Sequence, residues 1–266
     1  MLKLYHGVFS PCAQKVRLII AEKEIPWTSR EINLLKKENL EPWYLEIAPK
    51  GLVPVLDHNG QIVTESTIIC EYLEDAFPEV PLRPIRPIDK ARARTWMKLV
   101  DDSLHPSAGP IIFGSLMRYW WLQAPVEERA RRLALLVDPA RRQRQQTAID
   151  QGLDAPAVEG CISAWIAGLV QLERRLAAAE WLAGDLYSIA DAAVTPYVFF
   201  MDALGMSVVF ERYPAVRQWY ERIRARPNFR RALVDAAPAD QWEAIRHVAK
   251  ESGPILNGRV LAREAA

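Results

Sequence analysis

Residues 1–76 switch repeatedly between two spacings of apolar positions, whereas the chain beyond about residue 89 keeps to one. Leu2 and Leu4 alternate with polar neighbours, which predicts a short strand ending in a Gly-bearing turn over 5–10. From Pro11 the spacing becomes helical, with Val16, Ile19 and Ile20 on one face and Lys15, Arg17, Glu22 and Lys23 elsewhere. Proline suits a first helical position because its missing N–H would have no partner there, and Ser10 then falls at the N-cap. Residues 27–34, with Thr, Ile and alternating charge, predict a second strand. A polar, Pro-punctuated connection over 36–51 holds one helical turn near 43–47. The apolar run 52–56, a turn at 57–60 and a return at 61–64 predict a hairpin. A helix then runs to about Ala76, burying Ile68, Ile69, Tyr72 and Leu73.

This order, βαβαββα, predicts an α/β thioredoxin-like domain over 1–80. Four prolines within 78–88 end the helical character, and 81–88 is read as a linker. Residues 89–252 have only helical periodicity, so the fold class is α/β + all-α, with an all-helical C-terminal domain. Its expected helices lie at 91–104, 109–122 (after an interruption at His105 and Pro106), 157–180, 188–204, 213–226, 227–236 and 239–251. The stretch 126–151 is highly charged, and 253–266 is read as a frayed tail.

Composition narrows the possible partners. The 34 Lys plus Arg against 33 Asp plus Glu leave a formal charge of +1, which gives no electrostatic case for nucleic acid or a membrane surface. Cysteines at 12, 70 and 161 are odd in number and far apart, which argues against a disulfide framework and suits a reducing compartment. The N-terminus has no apolar signal core, so a cytoplasmic protein is expected. The four histidines show no ligand spacing, and no metal is expected.

Three features carry candidate chemistry. Pro54 interrupts an apolar strand, where its lost N–H is normally costly; a cis proline that turns the backbone of Val53 toward a ligand resolves the conflict. Such an exposed backbone pairs naturally with a bound peptide, and glutathione is one. Glu65 and Ser66 open a helix, whose free N–H groups suit a carboxylate while the acidic side chain suits an ammonium. A γ-glutamyl group carries both charges on one carbon. At Ser10-Pro11-Cys12 a thiolate would be stabilised by the helix end, with Ser10 as hydrogen-bond donor. Cys12 competes with Ser10 as the reactive group; it could form a mixed disulfide, or be a small buried residue of the helix. Tyr5 is a lesser candidate.

The segments SPCAQKVRLIIAEKEI, APKGLVPVL, TESTIICEYLEDAFPE, WLAGDLYSIADAAVTPYV and PAVRQWYERIRARPNF resemble, in order, signature blocks of the cytosolic glutathione transferases. The fourth contains Ser188 and Asp191 in the spacing of a capping box. The resemblance covers 1–235 and implies glutathione as co-substrate, a homodimer, and an electrophile pocket between the domains, walled by Phe9, Phe113, Met117 and Trp120. Leu52 stands where relatives often place a polar residue for the glycine carboxylate; Lys36, Lys37, Asn39 or Lys50 could supply that contact. The 123–156 insertion and the TESTIICEYLEDAFPE block are similar to those of bacterial glutathione-dependent β-aryl etherases, although the N-terminal stretch differs. Arg141, Arg142, Gln143 and Arg144 within the insertion read as a solvated helix face. The expected activity is attack of an activated glutathione thiolate on a hydrophobic, aromatic electrophile, including β-aryl ethers. The alternatives are a thiol–disulfide reductase using Cys12 and a non-catalytic ligand-binding protein.

Overall fold

The computed structural model describes residues 1–264. Strand β1 (Leu2–His6) leads through a tight turn to helix α1 (Pro11–Glu22), then to β2 (Trp27–Glu31), α2 (Pro42–Ile47), β3 (Val55–His58), β4 (Gln61–Val63) and α3 (Ser66–Ala76). The sheet order is β2-β1-β3-β4, with β1 parallel to β2 and antiparallel to β3, and β3 antiparallel to β4. The βαβαββα order expected from the sequence is therefore present. The strand bounds differ from those expected: the second stops at Glu31, the third is displaced to Val55–His58 beyond the Val53–Pro54 peptide, and the fourth ends at Val63. Ile68 turns outward instead of into the core.

Helices α4 (Pro87–Leu99), α5 (His105–Ile112) and α6 (Arg118–Leu122) are joined without a break by π-helical segments at Val100–Leu104 and Phe113–Met117. The expected interruption at His105 and Pro106 is thus absorbed by wide turns rather than a loop. Pro106 and Pro110 cannot donate to the preceding turn, and a π-bulge is one way to accommodate the missing bond. The insertion forms α7 (Val126–Ala134) and α8 (Pro139–Gln151). It is followed by α9 (Pro156–Ala178), α10 (Ile189–Ala203), α11 (Ser207–Arg212), α12 (Pro214–Arg224), the short α13 (Pro227–Phe229) and α14 (Ala239–Glu264). The frayed tail expected from 253 is instead continuous helix through 264; Leu256 and Val260 are buried and hold it down. Residues 265–266 lie outside the described part.

One apolar core runs from Leu2 to Val260 through both halves. Helix α1 is buried nearly all round because α3, α10 and the 230–234 segment pack against it. Each large aliphatic side chain fully buried there contributes about 1.5–3 kcal/mol. The 81–88 segment is tied down rather than loose: Leu82 is buried, its N–H bonds to Glu74, and its carbonyl accepts the N–H of Ile189 at 2.9 Å. Ser188 and Asp191 form the expected capping box. The buried Asp191 carboxylate also accepts from the N–H of Leu182 and from Trp219 Nε1.

The insertion packs Leu133, Leu136 and Ile149 around Trp121 of α6 in a small separate core, with Leu40 of the first domain against it. Helix α8 ends at Gly152, in the left-handed region at φ +61°, and crosses the long helix at Gly114. A Cβ on Gly114 would lie 2.6 Å from the Gly152 carbonyl oxygen, so only glycine permits this approach. The crossing sets α8 over the first domain's loops. No single helix among the described residues is long and apolar enough to cross a membrane.

Candidate active site

The turn before α1 is rigid. Buried Arg17 donates to the carbonyls of Val8 at 2.8 Å, Gly7 at 3.4 Å and Ala232 at 2.8 Å. Ser10 caps the helix as expected: its Oγ accepts the N–H of Ala13 at 3.3 Å. This bond occupies a lone pair and leaves the hydroxyl proton free to donate.

Cys12 occupies the first turn of α1, and its Sγ lies 3.5 Å from His105 Nδ1 and 3.6 Å from Nε2, with Tyr197 Oη at 4.0 Å. Burial pushes the thiol up. A hydrogen bond and the charge of His105, the charge of Lys15 and a hydrogen bond with Ser66 outweigh it, and Cys12 sits below the ordinary thiol range. His105 moves the opposite way: burial lowers it, but the hydrogen bond and charge of Cys12 bring it above the ordinary imidazole value. These shifts favour a thiolate beside an imidazolium. Lys15, itself buried, is anchored by Thr67 Oγ1 at 2.7 Å and Asp101 Oδ1 at 3.1 Å. Tyr197 is held neutral by burial and by the Cys12 charge.

The residues expected to grip the γ-glutamyl and cysteinyl groups lie just before β3 and at the start of α3. The Val53–Pro54 peptide is cis. Pairing of β3 with β1 reaches only Val55, so the backbone of Val53 stays outside the ladder. Glu65 precedes α3 at φ +66°, a region costly for a non-glycine residue and frequent at ligand sites. Ser66 follows at the start of the helix and is nearly buried. The Glu65 carboxylate holds Lys50 at 2.8 Å, so Lys50 is engaged there rather than at the glycine end.

A cavity of about 550 Å³ extends from Ser10 and His105 to the underside of α8. Phe9, Phe113 and Met117 line it as expected. Trp120 does not; it packs behind Phe9 with ring centroids 5.4 Å apart, and its neighbour Trp121 forms the wall. Asn39, Leu52 and Val53 also line the cavity, with the Asn39 amide fixed on the Gly51 carbonyl at 2.7 Å. Leu52 is 48 % exposed and offers no polar side chain. Lys36 is exposed outside the cavity, because Asn33 Oδ1 caps its N–H and the chain turns at Lys37, φ +63°. Lys37 points inward instead: its Nζ donates to Gln145 Oε1 at 2.8 Å and lies 5.0 Å from the Trp121 ring. Burial and the charges of Arg141 and Arg132 pull Lys37 down to about 8.

The solvated face expected for 141–144 is partly wrong. Arg141 and Arg144 line the cavity, and Arg142 folds back onto the Leu136 carbonyl. The sequence reading also missed His105 and Tyr197 as neighbours of Cys12; they lie 93 and 185 positions away, and no linear spacing could reveal either. No group of three or more metal-ligating side chains is clustered among the described residues.

Comparison with known proteins agrees with this geometry. The glutathione S-transferase N-terminal domain model matches residues 9–76, and the C-terminal domain model matches 139–222. Protein LigF of Sphingobium sp. (strain NBRC 103272 / SYK-6) is 30% identical over 238 residues, covering 85% of this chain and 90% of that protein. Maleylacetoacetate isomerase of Pseudomonas aeruginosa is 27% identical over 235 residues, covering 87% and 95%. The crystal structure of the beta-etherase LigF from Sphingobium sp. strain SYK-6 superposes with a TM-score of 0.77 at 28% identity, covering 87% of this chain and 98% of that one. The chain belongs to the glutathione S-transferase family, with glutathione as its co-substrate.

Proposed function

We propose that this transferase directs the glutathione thiolate at a hydrophobic aromatic electrophile and cleaves β-aryl ethers. The observation that carries the reading is the cavity, which opens at Ser10 and His105 and continues between the apolar walls of Phe9, Phe113 and Met117. Glu65 and Ser66 hold the γ-glutamyl charges, and the backbone of Val53 pairs with the cysteinyl unit. The bound thiol, about 8.5 unperturbed, loses its proton to solvent and is stabilised by the N-terminus of α1 and the Ser10 hydroxyl. Its sulfur forms a C–S bond at the carbon bearing the aryloxy group. The C–O bond breaks, its electron pair leaves on the phenolate, and that oxygen takes a proton from water. Proximity and thiolate activation supply the rate. Similarity to the beta-etherase supports the choice of electrophile. A homodimer in the cytoplasm is part of the same reading, as is a role in aromatic-compound degradation or detoxification; three free cysteines suit a reducing compartment.

The test is phenol release from a β-aryl ether, measured against conjugation of a chlorinated aromatic, both with glutathione. Ether cleavage with little conjugation is expected, and the reverse pattern overturns the choice of electrophile.

The Cys12–His105 contact favours a second reading. The Cys12 thiolate attacks a glutathionylated disulfide, releases the partner thiolate and becomes a mixed disulfide. A second glutathione thiolate then resolves it, forming oxidised glutathione and restoring Cys12. Reductase activity lost in Cys12→Ser but kept in Ser10→Ala would establish this reading, and the opposite pattern would exclude it.

A further inference from the structure

Charges at the far end of the cavity are unbalanced. Lys37 is buried, yet among the described residues its ammonium donates only to the neutral Gln145 amide. Arg141 is half-buried in the cavity wall and Arg144 stands beside it; neither has a hydrogen bond or ion pair among the described residues. Asp138 lies close enough to Arg141 to be felt, but not to pair with it. Arg132, the next cation, is committed to Glu128 at 2.8 Å. Trp121, fully buried between Lys37 and Arg132, has an indole N–H with no partner. Donors therefore converge from two domains: Lys37 from the first, Trp121 and Arg141 from the second. Unpaired cations desolvated together are costly, and a protein retains them where a ligand supplies the counter-charge.

We propose that Lys37, Arg141 and the Trp121 indole N–H form a carboxylate subsite, which the inserted helix α8 closes over the cavity. The subsite rests on the glutathione-transferase reading for its two candidate occupants, which share one chemistry. One is the glycyl carboxylate of glutathione, which Leu52 cannot hold; the other is a carboxylate carried by the aromatic electrophile. In either case the specificity comes partly from the insertion. Arg141 is the residue that tests this, because a grip confined to the first domain would leave it idle.

S-methylglutathione and its glycinamide, in which the terminal carboxylate is a neutral amide, are titrated calorimetrically into the wild type, Arg141→Gln and Arg141→Lys. If the glycyl group is the occupant, the wild type prefers the acid by about tenfold or more, Arg141→Gln loses that preference and Arg141→Lys keeps part of it. If the electrophile is the occupant, the glycinamide binds equally well everywhere. In that case Arg141→Gln raises KM about tenfold for a carboxylated aryl ether but not for its amide. Discrimination unchanged by Arg141→Gln in both arms overturns the subsite. Succinate against succinamide, read by thermal shift, tests the subsite without glutathione. Stabilisation by succinate in the wild type and its absence in Arg141→Gln support the subsite even if S-methylglutathione fails to bind at millimolar concentration, a failure that would count against the function alone. Arg141→Gln removes a cation beside Lys37 and breaks no bond, so the unliganded variant should melt no lower than the wild type.

Discussion

The two ends of the cavity handle charge in opposite ways. At the thiol end every ionisable group has a partner: Cys12 faces His105, Lys15 holds Asp101, and Tyr197 is kept neutral nearby. At the end under α8, Lys37 and Arg141 share a desolvated corner in which no carboxylate pairs with either among the described residues. A paired group is poised for chemistry because its protonation state is already decided. An unpaired cation is poised for binding because it gains most when an anion arrives. The first end uses side chains from α1, α5 and α10 around the apolar core; the second depends on an insertion packed around a small separate core.

The largest effect is expected where the thiol end is supported from behind. Asp191 accepts from Ser188, Leu182 and Trp219 while fully buried, and it anchors the start of the helix that brings Tyr197 to Cys12. Asp191→Ala orphans those donors and should cost about 3–5 kcal/mol. Urea unfolding measures the loss, and a change below about 1 kcal/mol would show that α10 is held by packing alone.

A smaller effect is expected within the Cys12–His105 pair. The contacts with His105 lower the Cys12 pKa, so alkylation by iodoacetamide should stay fast below the usual thiol range and decline only as the thiolate protonates. In His105→Ala, burial is opposed only by Lys15 and Ser66, and the pH–rate curve should move to higher pH. Labelling at neutral pH then slows, about tenfold if the curve moves by one pH unit. Superimposable curves would mean that the histidine does not set the charge of the thiol.

The smallest change is expected from the unpaired end in the absence of ligand. Lys37 is held at about 8 in the folded chain against about 10.4 unfolded, so the unfolded state binds more protons between those values. Stability should therefore rise, by up to about 2 kcal/mol, as pH increases from about 8 toward 10, and Lys37→Met should abolish that rise. Chemical denaturation across this window reads it. A rise that survives Lys37→Met would place the titrating group elsewhere.

Much of the site was legible because it is local. Ser10 and Pro11 announce the start of a helix, Pro54 in an apolar run points to a turned backbone, and Glu65-Ser66 marks the next helix start. Each depends on neighbours within a few positions. The frayed tail, Trp120 and Lys36 were misread because one-sided periodicity cannot tell a cavity wall from packing, or one lysine from the next when a left-handed residue reverses the chain.

The sequence alone determined the α/β half and the helical half and singled out first-domain candidates for glutathione, since these follow from period, caps and backbone chemistry. Only the tertiary structure decided that Cys12 meets His105 and that Arg141 meets Lys37. Both depend on how helices cross: two π-bulges set the path of the 87–122 helix, and the Gly114–Gly152 contact sets the height of α8. Charge pairing across such crossings is a property of three-dimensional distance, which hydrophobic spacing along the chain does not encode.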